Sequence, residues 1–115
     1  MEKINKEVEE KIAHLQLIEQ NLQNFLLQKQ TFHSQLLELE NALSELKNLK
    51  EKPYKIIGNI MILTDKDKLE KDLNSKREII NLRIKNIDKQ EQKLKERSNE
   101  LQTEVMKELK KNESS

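Results

Sequence analysis

A repeating pattern of apolar residues constrains this chain more than any other feature of its sequence. From Ile4 onward, apolar side chains recur at alternating steps of four and three residues, with polar interruptions at Lys11 and Lys29. Such heptad spacing gathers apolar residues on one stripe of a long α-helix, which a second helix can cover. We therefore predict one helix over about residues 4–50. Its seam consists of Ile4, Val8, Leu15, Ile18, Leu22, Phe25, Phe32, Leu36, Leu39, Leu43 and Leu46.

A second heptad series follows Leu69. Thr64 and Asp67 precede it with the spacing at which a hydroxyl and a carboxylate cap a first helical turn. We expect a second helix over about 67–111, with a frayed tail at 112–115. One heptad position is apolar throughout, at Leu73, Ile80, Ile87, Leu94 and Leu101, whereas the complementary position holds Arg77, Ile84, Glu91, Ser98 and Val105.

The two predicted helices are similar in length, which favours an antiparallel two-helix coiled-coil hairpin. The expected fold class is mainly α, within a single domain. If the chain folds back about its centre, facing residues have numbers that sum to about 119, a register set by a bend at residues 58–59. This register places Phe25 opposite Leu94 and Lys11 opposite Glu108, a pairing of opposite charges.

The middle of the chain, PYKIIGNIMILT at residues 53–64, holds the only proline and the only glycine. Pro53 lacks an N–H and cannot continue the first helix. Gly58-Asn59 suits a two-residue turn, because glycine accepts a positive φ at the first central position. We predict strands near 54–57 and 60–64, with Tyr54 opposite Leu63, Lys55 opposite Ile62, Ile56 opposite Met61 and Ile57 opposite Ile60.

Both faces of this predicted β-hairpin are apolar, although a sheet in a water-soluble protein usually keeps one face polar. The helices use their apolar stripes on each other, so neighbouring subunits must cover the hairpin. We expect several hairpins to join edge to edge in an oligomeric β-barrel. The predicted subunit interface is Tyr54, Ile56, Ile57, Gly58, Ile60, Met61, Ile62 and Leu63.

Composition restricts the function. Lys and Arg total 22 against 21 Asp and Glu, so bulk charge attracts neither nucleic acid nor an anionic membrane. Cysteine is absent, and one glycine cannot build a phosphate-binding loop. His14 and His33 stand too far apart on one helix to share a metal. We expect a cytoplasmic, non-enzymatic protein with no catalytic residues, metal or cofactor, because the start also lacks an apolar run of signal-peptide length.

Four segments together resemble a known family over essentially the whole chain. They are Leu27-Gln28-Lys29-Gln30-Thr31, Tyr54 through Ile62, Lys66-Asp67-Lys68-Leu69, and Arg83 through Leu94. These segments are similar to the beta-class subunits of archaeal prefoldin. The space between Leu49 and Leu69 has room for one hairpin, whereas the alpha class carries two, so the chain resembles the beta class.

The resemblance implies a hexamer of two alpha-type and four beta-type subunits, with a double β-barrel platform and six coiled-coil tentacles. Such an assembly holds unfolded proteins at its tips without ATP and passes them to a group II chaperonin. The implied partners are therefore an alpha-type subunit, unfolded client proteins and the chaperonin. A purely structural coiled coil that tethers partners remains the alternative, and a nucleic-acid-binding arm is disfavoured by alternating charge signs.

Client binding is predicted at the open end of the helical hairpin. Helix ends fray, and Met adapts to varied partners. Ile12 and Met106 lie off the main stripe, so pairing of the helices need not bury them. These positions are equally compatible with the last layers of an ordinary coiled coil. The predicted client-binding residues are Ile4, Val8, Ile12, Leu15, Leu101, Val105, Met106 and Leu109.

Overall fold

A computed structural model describes residues 2–113, with side chains described for residues 6–111. Helix α1 spans Glu2–Asn48, strand β1 Tyr54–Ile57, strand β2 Ile60–Leu63 and helix α2 Lys66–Glu113. The strands form a two-stranded antiparallel sheet. Two long helices flanking one β-hairpin confirm the predicted mainly α fold. Ser114 and Ser115 of the predicted tail lie outside the described residues.

The chain divides into two compact units. One, here called the terminal unit, consists of Met1–Gln28 and Asn86–Ser115. The other, here called the hairpin unit, is Lys29–Lys85 and contains both strands. Each unit therefore combines a segment of α1 with a segment of α2.

The heptad seam is the core of each unit. Along α1, every seam residue from Val8 to Leu46 is buried or half-buried, and between them Lys11, Lys29 and Ala42 are half-buried as well. Burial of such apolar side chains contributes about 1.5–3 kcal/mol each. The core is thus a narrow stripe. Its most buried residues are Val8, Ile18, Leu43 and Leu46 from α1 and Ile87, Leu101 and Val105 from α2.

The β-hairpin has the predicted register, with Tyr54 paired to Leu63 and Ile57 to Ile60. Gly58 has a φ of 60°, while Asn59 does not have a positive φ, which is the combination of a type II′ turn. The Thr64 N–H donates to the Pro53 carbonyl at 3.0 Å, so the ladder extends beyond β1 and β2.

The segments that connect the β-hairpin to the helices make hydrogen bonds to backbone carbonyls near the ends of α1 and α2. The Lys66 ammonium donates to the carbonyl of Lys47 in the last turn of α1 at 3.3 Å and to the carbonyl of Leu49 just beyond α1 at 3.2 Å. Carbonyls at the end of a helix lack helical partners and favour a cation. The Leu69 N–H donates to the Asp65 carbonyl at 2.9 Å, which makes Asp65 the N-cap of α2. The predicted cap at Thr64 is therefore displaced by one residue, because the Thr64 backbone belongs to the sheet ladder.

Candidate interaction surfaces

The first candidate surface, here called the hairpin surface, comprises the eight residues of the predicted subunit interface. Its seven apolar side chains range from 45% exposed at Ile62 to 70% exposed at Ile56. The alternation of strand side chains puts Ile57, Ile60 and Ile62 on one face and the others on the opposite face. Both faces therefore present side chains that are at least 45% exposed.

One charged side chain belongs to the hairpin. Lys55 lies on the face of Ile57, and its ammonium stands 3.6 Å from a carboxylate oxygen of Asp72 in α2. Both side chains are partly exposed, so this ion pair stabilises the fold by at most about 1 kcal/mol. The ion pair holds the Lys55 charge beside α2. The other side chains of β1 and β2 are all apolar or aromatic.

The second candidate surface lies in the terminal unit, and the structure divides its predicted residues into two groups. Val8, Leu101 and Val105 are buried, at 7%, 1% and 8% exposure. Leu15 is half-buried, and the side chain of Ile4 lies outside the described residues. By contrast Ile12, Met106 and Leu109 remain 41%, 57% and 44% exposed. These three form what is here called the exposed tip group.

A polar layer interrupts the seam beside the exposed tip group. The Lys11 ammonium donates to Glu108 Oε1 at 2.6 Å and lies 3.5 Å from Glu104 Oε2. The Glu108 hydrogen bond is the main reason why the pKa of Lys11 is raised above its ordinary value. The predicted pairing of Lys11 with Glu108 is therefore confirmed. The other carboxylate oxygen of Glu108 is buried and has no hydrogen-bond partner among the described residues.

The hairpin unit contains a groove that sequence reasoning missed. It encloses about 450 Å³ between segments of α1 and α2. Among the residues of α1 whose side chains are described, Ala42 is the one half-buried residue outside the heptad positions, and its small side chain is the signal that could have revealed this space. Arg83 also lies 5.9 Å from the centre of the Phe32 ring. The groove is lined by Gln35, Glu38, Leu39, Ala42, Lys76, Ile79, Ile80 and Arg83.

The described residues hold neither a metal-binding cluster nor a membrane-spanning helix. No group of three or more His, Asp or Glu side chains there could hold a metal ion. His14 and His33 are both exposed. Among the described helices, none is long and apolar enough to cross a membrane.

Known proteins resemble this chain over most of its length. The family described as prefoldin subunit matches residues 9–112. Prefoldin subunit beta of Saccharolobus islandicus is 35% identical over 106 residues, which cover 90% of this chain and 84% of that protein. Prefoldin subunit beta of Pyrobaculum islandicum is 32% identical over 111 residues, covering 95% and 89%.

One solved structure is similar to this chain in both fold and sequence. The crystal structure of the prefoldin beta subunit from Thermococcus strain KS-1 matches with a TM-score of 0.83 and 31% identity. The match covers 93% of this chain and 96% of that one. The two long helices, the single hairpin between them and these likenesses lead to one conclusion. The chain belongs to the prefoldin family of chaperone subunits, in its beta class.

Proposed function

We propose that this chain is the beta-type subunit of an ATP-independent holdase, which captures unfolded proteins and delivers them to a group II chaperonin. Membership of the beta class implies assembly with alpha-type subunits. The proposed particle contains two alpha-type and four beta-type subunits, and the proposed setting is the cytoplasm. The hairpin surface serves assembly, and the exposed tip group serves capture.

The exposure of the apolar side chains of the β-hairpin supports its role in assembly. An isolated two-stranded sheet is marginally stable in water, and a contiguous apolar patch on a folded protein usually marks an interface. Because these side chains are already partly shielded, each one that assembly covers would contribute up to about 3 kcal/mol. Hairpins of neighbouring subunits can supply that cover while they also pair the open edges of β1 and β2.

The exposure of Ile12, Met106 and Leu109 is the observation that carries the proposal of client capture. Their buried neighbours Leu101 and Val105 hold the helices together, so the exposed side chains stand on a folded support. Apolar side chains dispersed among charges can contact an unfolded chain without forming a large patch of their own. Met106 adds an unbranched, adaptable side chain suited to varied sequences.

The capture test replaces only exposed residues. Ile12→Ser, Met106→Ser and Leu109→Ser are combined, and suppression of aggregation of a denatured protein is measured by light scattering without ATP. We expect suppression to fall at least about threefold, the change that about 0.7 kcal/mol of lost contact produces. The mass of the complex with an alpha-type subunit should stay the same.

The matched control combines Leu17→Ser with Leu26→Ser, which are also exposed on α1 within the terminal unit. Capture should persist in this control. Undiminished suppression by the triple variant would refute the assignment of the exposed tip group. A particle that assembles but suppresses no aggregation would instead support a purely structural coiled-coil oligomerisation or tethering protein.

Delivery is tested with the same particle. A captured client is mixed with a group II chaperonin and ATP, and recovery of the native client is measured. Recovery should exceed that obtained when the chaperonin is added to a client that has no holdase. Equal recovery in both samples would remove delivery from the proposal and leave capture in place.

A further inference from the structure

The polar layer of the terminal unit occupies a place where the heptad pattern requires an apolar residue. Lys11 falls on the seam between Val8 and Leu15 and is half-buried there. Its partners Glu104 and Glu108 belong to α2, so the layer joins the two helical segments of the unit. Val105, in the same turn of α2, is buried. The ion pair is thus part of the packed seam.

An apolar seam alone does not fix how two helices align along their axes. In the terminal unit Ile87, Leu94 and Leu101 repeat every seven residues. A slip of one heptad, about 10 Å at about 1.5 Å per residue, would therefore place apolar residues opposite apolar residues again. Seams of this kind permit several alignments of similar stability.

The polar layer removes this ambiguity. In the observed register Lys11 meets Glu108, but a slip of seven residues in one direction would bring Lys11 against Leu101. Leu101 is only 1% exposed, and an ammonium buried there would lose its partner and its water. Lysine is charged near neutral pH at its ordinary pKa, so Lys11 would carry its charge into the slipped alignment, where the Glu108 hydrogen bond that raises its pKa in the observed register is lost. Register selection is the best-attested role of a buried polar pair in a coiled coil.

We propose that Lys11 is a positioning residue, which pairs with Glu108 and Glu104 to select one axial register in the terminal unit. This register leaves Ile12, Met106 and Leu109 exposed together, so the inference rests on the proposed client binding. The layer weakens the packing it aligns, because the buried Glu108 Oε2 has no hydrogen-bond partner among the described residues. Replacing the pair by apolar residues should therefore preserve helical structure while it loosens the alignment.

The register can be measured directly because the chain contains no cysteine. Spin labels are attached through Gln16→Cys in α1 and Gln102→Cys in α2, both exposed in the terminal unit. Electron paramagnetic resonance then gives the distance between the labels. We expect one narrow distance in the parent and in Lys11→Arg, which keeps the charge. Lys11→Leu with Glu108→Leu should show a second or much broader distance.

A circular dichroism spectrum shows whether the double variant is still helical. If it is not, Lys11→Met with Glu108→Met takes its place, because unbranched Met fits irregular space in a core. A single unchanged distance in a helical apolar variant would overturn the inference. A second distance that also appeared in Lys11→Arg would overturn it too, because the charge would then not set the register.

Capture is measured on the same samples, and it should fall at least about threefold when the register is mixed. Unchanged capture in a sample with a mixed register would overturn the link between alignment and exposure. Failure of the proposed function is recognised separately. It would appear as undiminished capture by the Ile12, Met106 and Leu109 variant, in which the polar layer is intact.

Discussion

The hairpin surface and the exposed tip group present the same kinds of side chain in different ways. Along β1 and β2, consecutive apolar residues alternate between two faces, so a run of apolar sequence becomes two continuous apolar surfaces. Along the helices of the terminal unit, Ile12 follows Lys11 and Met106 precedes Lys107, so each apolar group stands beside a charge. The backbone conformation therefore decides whether apolar side chains form a continuous surface or stand apart among charged ones.

This difference fits two kinds of association. A continuous apolar face with open hydrogen-bonding edges suits a lasting interface, because both the side chains and the backbone gain partners. Dispersed side chains on a folded support suit weak contacts with many sequences. If the distinction holds, substitutions at the two surfaces should affect different measurements.

The largest effect should come from charging one face of the hairpin. Ile56→Lys and Met61→Lys place like charges directly opposite each other on β1 and β2. Losing two side chains from an interface costs at least about 3 kcal/mol, so assembly with an alpha-type subunit should weaken by at least about 100-fold. Light scattering coupled to size exclusion gives the particle mass.

A charge on another exposed apolar residue of the hairpin unit provides the control for that experiment. Leu37→Lys in α1 should leave the particle mass unchanged, because Leu37 is exposed outside the hairpin. Full assembly of the Ile56 and Met61 variant would contradict the distinction between an assembly surface and a client-binding surface. The hairpin would then not be the assembly element.

The next largest effect should separate buried from exposed residues within the terminal unit. Leu101→Ala removes a side chain that is almost fully buried and should lower the free energy of unfolding by about 2–5 kcal/mol. Met106→Ala should change it by less than about 0.5 kcal/mol. Urea unfolding followed by circular dichroism compares the two, and similar losses would show that the exposed tip group is part of the core.

A smaller effect is expected at the turn of the hairpin. Gly58→Ala creates no steric clash, since an added Cβ meets nothing within 4 Å. The positive φ at this position, however, costs an L-residue about 1–2 kcal/mol. Assembly should weaken by about tenfold, whereas Asn59→Ala should change it little because Asn59 lacks a positive φ. Equal assembly constants for the two variants would contradict the assigned type II′ turn.

The smallest effect should be the pH dependence of the polar layer. The pKa of Lys11 is raised above 10.5 by Glu108, so its stabilising contribution is complete below that pH and is lost as pH rises through the folded value. The neighbouring Glu104, Glu108, Lys107 and Lys111 belong to the same cluster. The difference in unfolding free energy between the parent and Lys11→Met should be constant from about pH 6 to about pH 9 and shrink above that window. A difference that stayed constant into strong alkali would show that the Lys11 charge contributes nothing.

Several features could be predicted from sequence because each depends on local chemistry. The strand register followed from Gly58 and Asn59, whose turn leaves one pairing for the flanking residues. The seam followed from a repeat that matches helical geometry. The Lys11 and Glu108 pair was predicted by counting outward from the turn along both seams, which brings these two residues opposite each other.

Other features could not be predicted because they depend on the rotamers that long, flexible side chains adopt between helices and strands. Lys55 reaches Asp72, and Lys66 reaches two carbonyls, through flexible stems whose rotamers no heptad pattern specifies. The groove beside Ala42 depends on how the two helices are rotated within the hairpin unit. The division of the predicted client-binding residues into buried and exposed groups also required the packed structure, although Ile12 and Met106 lie off the stripe.

The bonds from Lys66 to the end of α1 have a consequence for biosynthesis. A ribosome releases the chain from its N-terminus, so Lys47 emerges well before Lys66, which stands nineteen residues later. Until then the Lys47 carbonyl in the last turn of α1 lacks the Lys66 ammonium. The bonds from Lys66 to the end of α1 can therefore form only after the residue that begins α2 has emerged and the turn between the helices has closed.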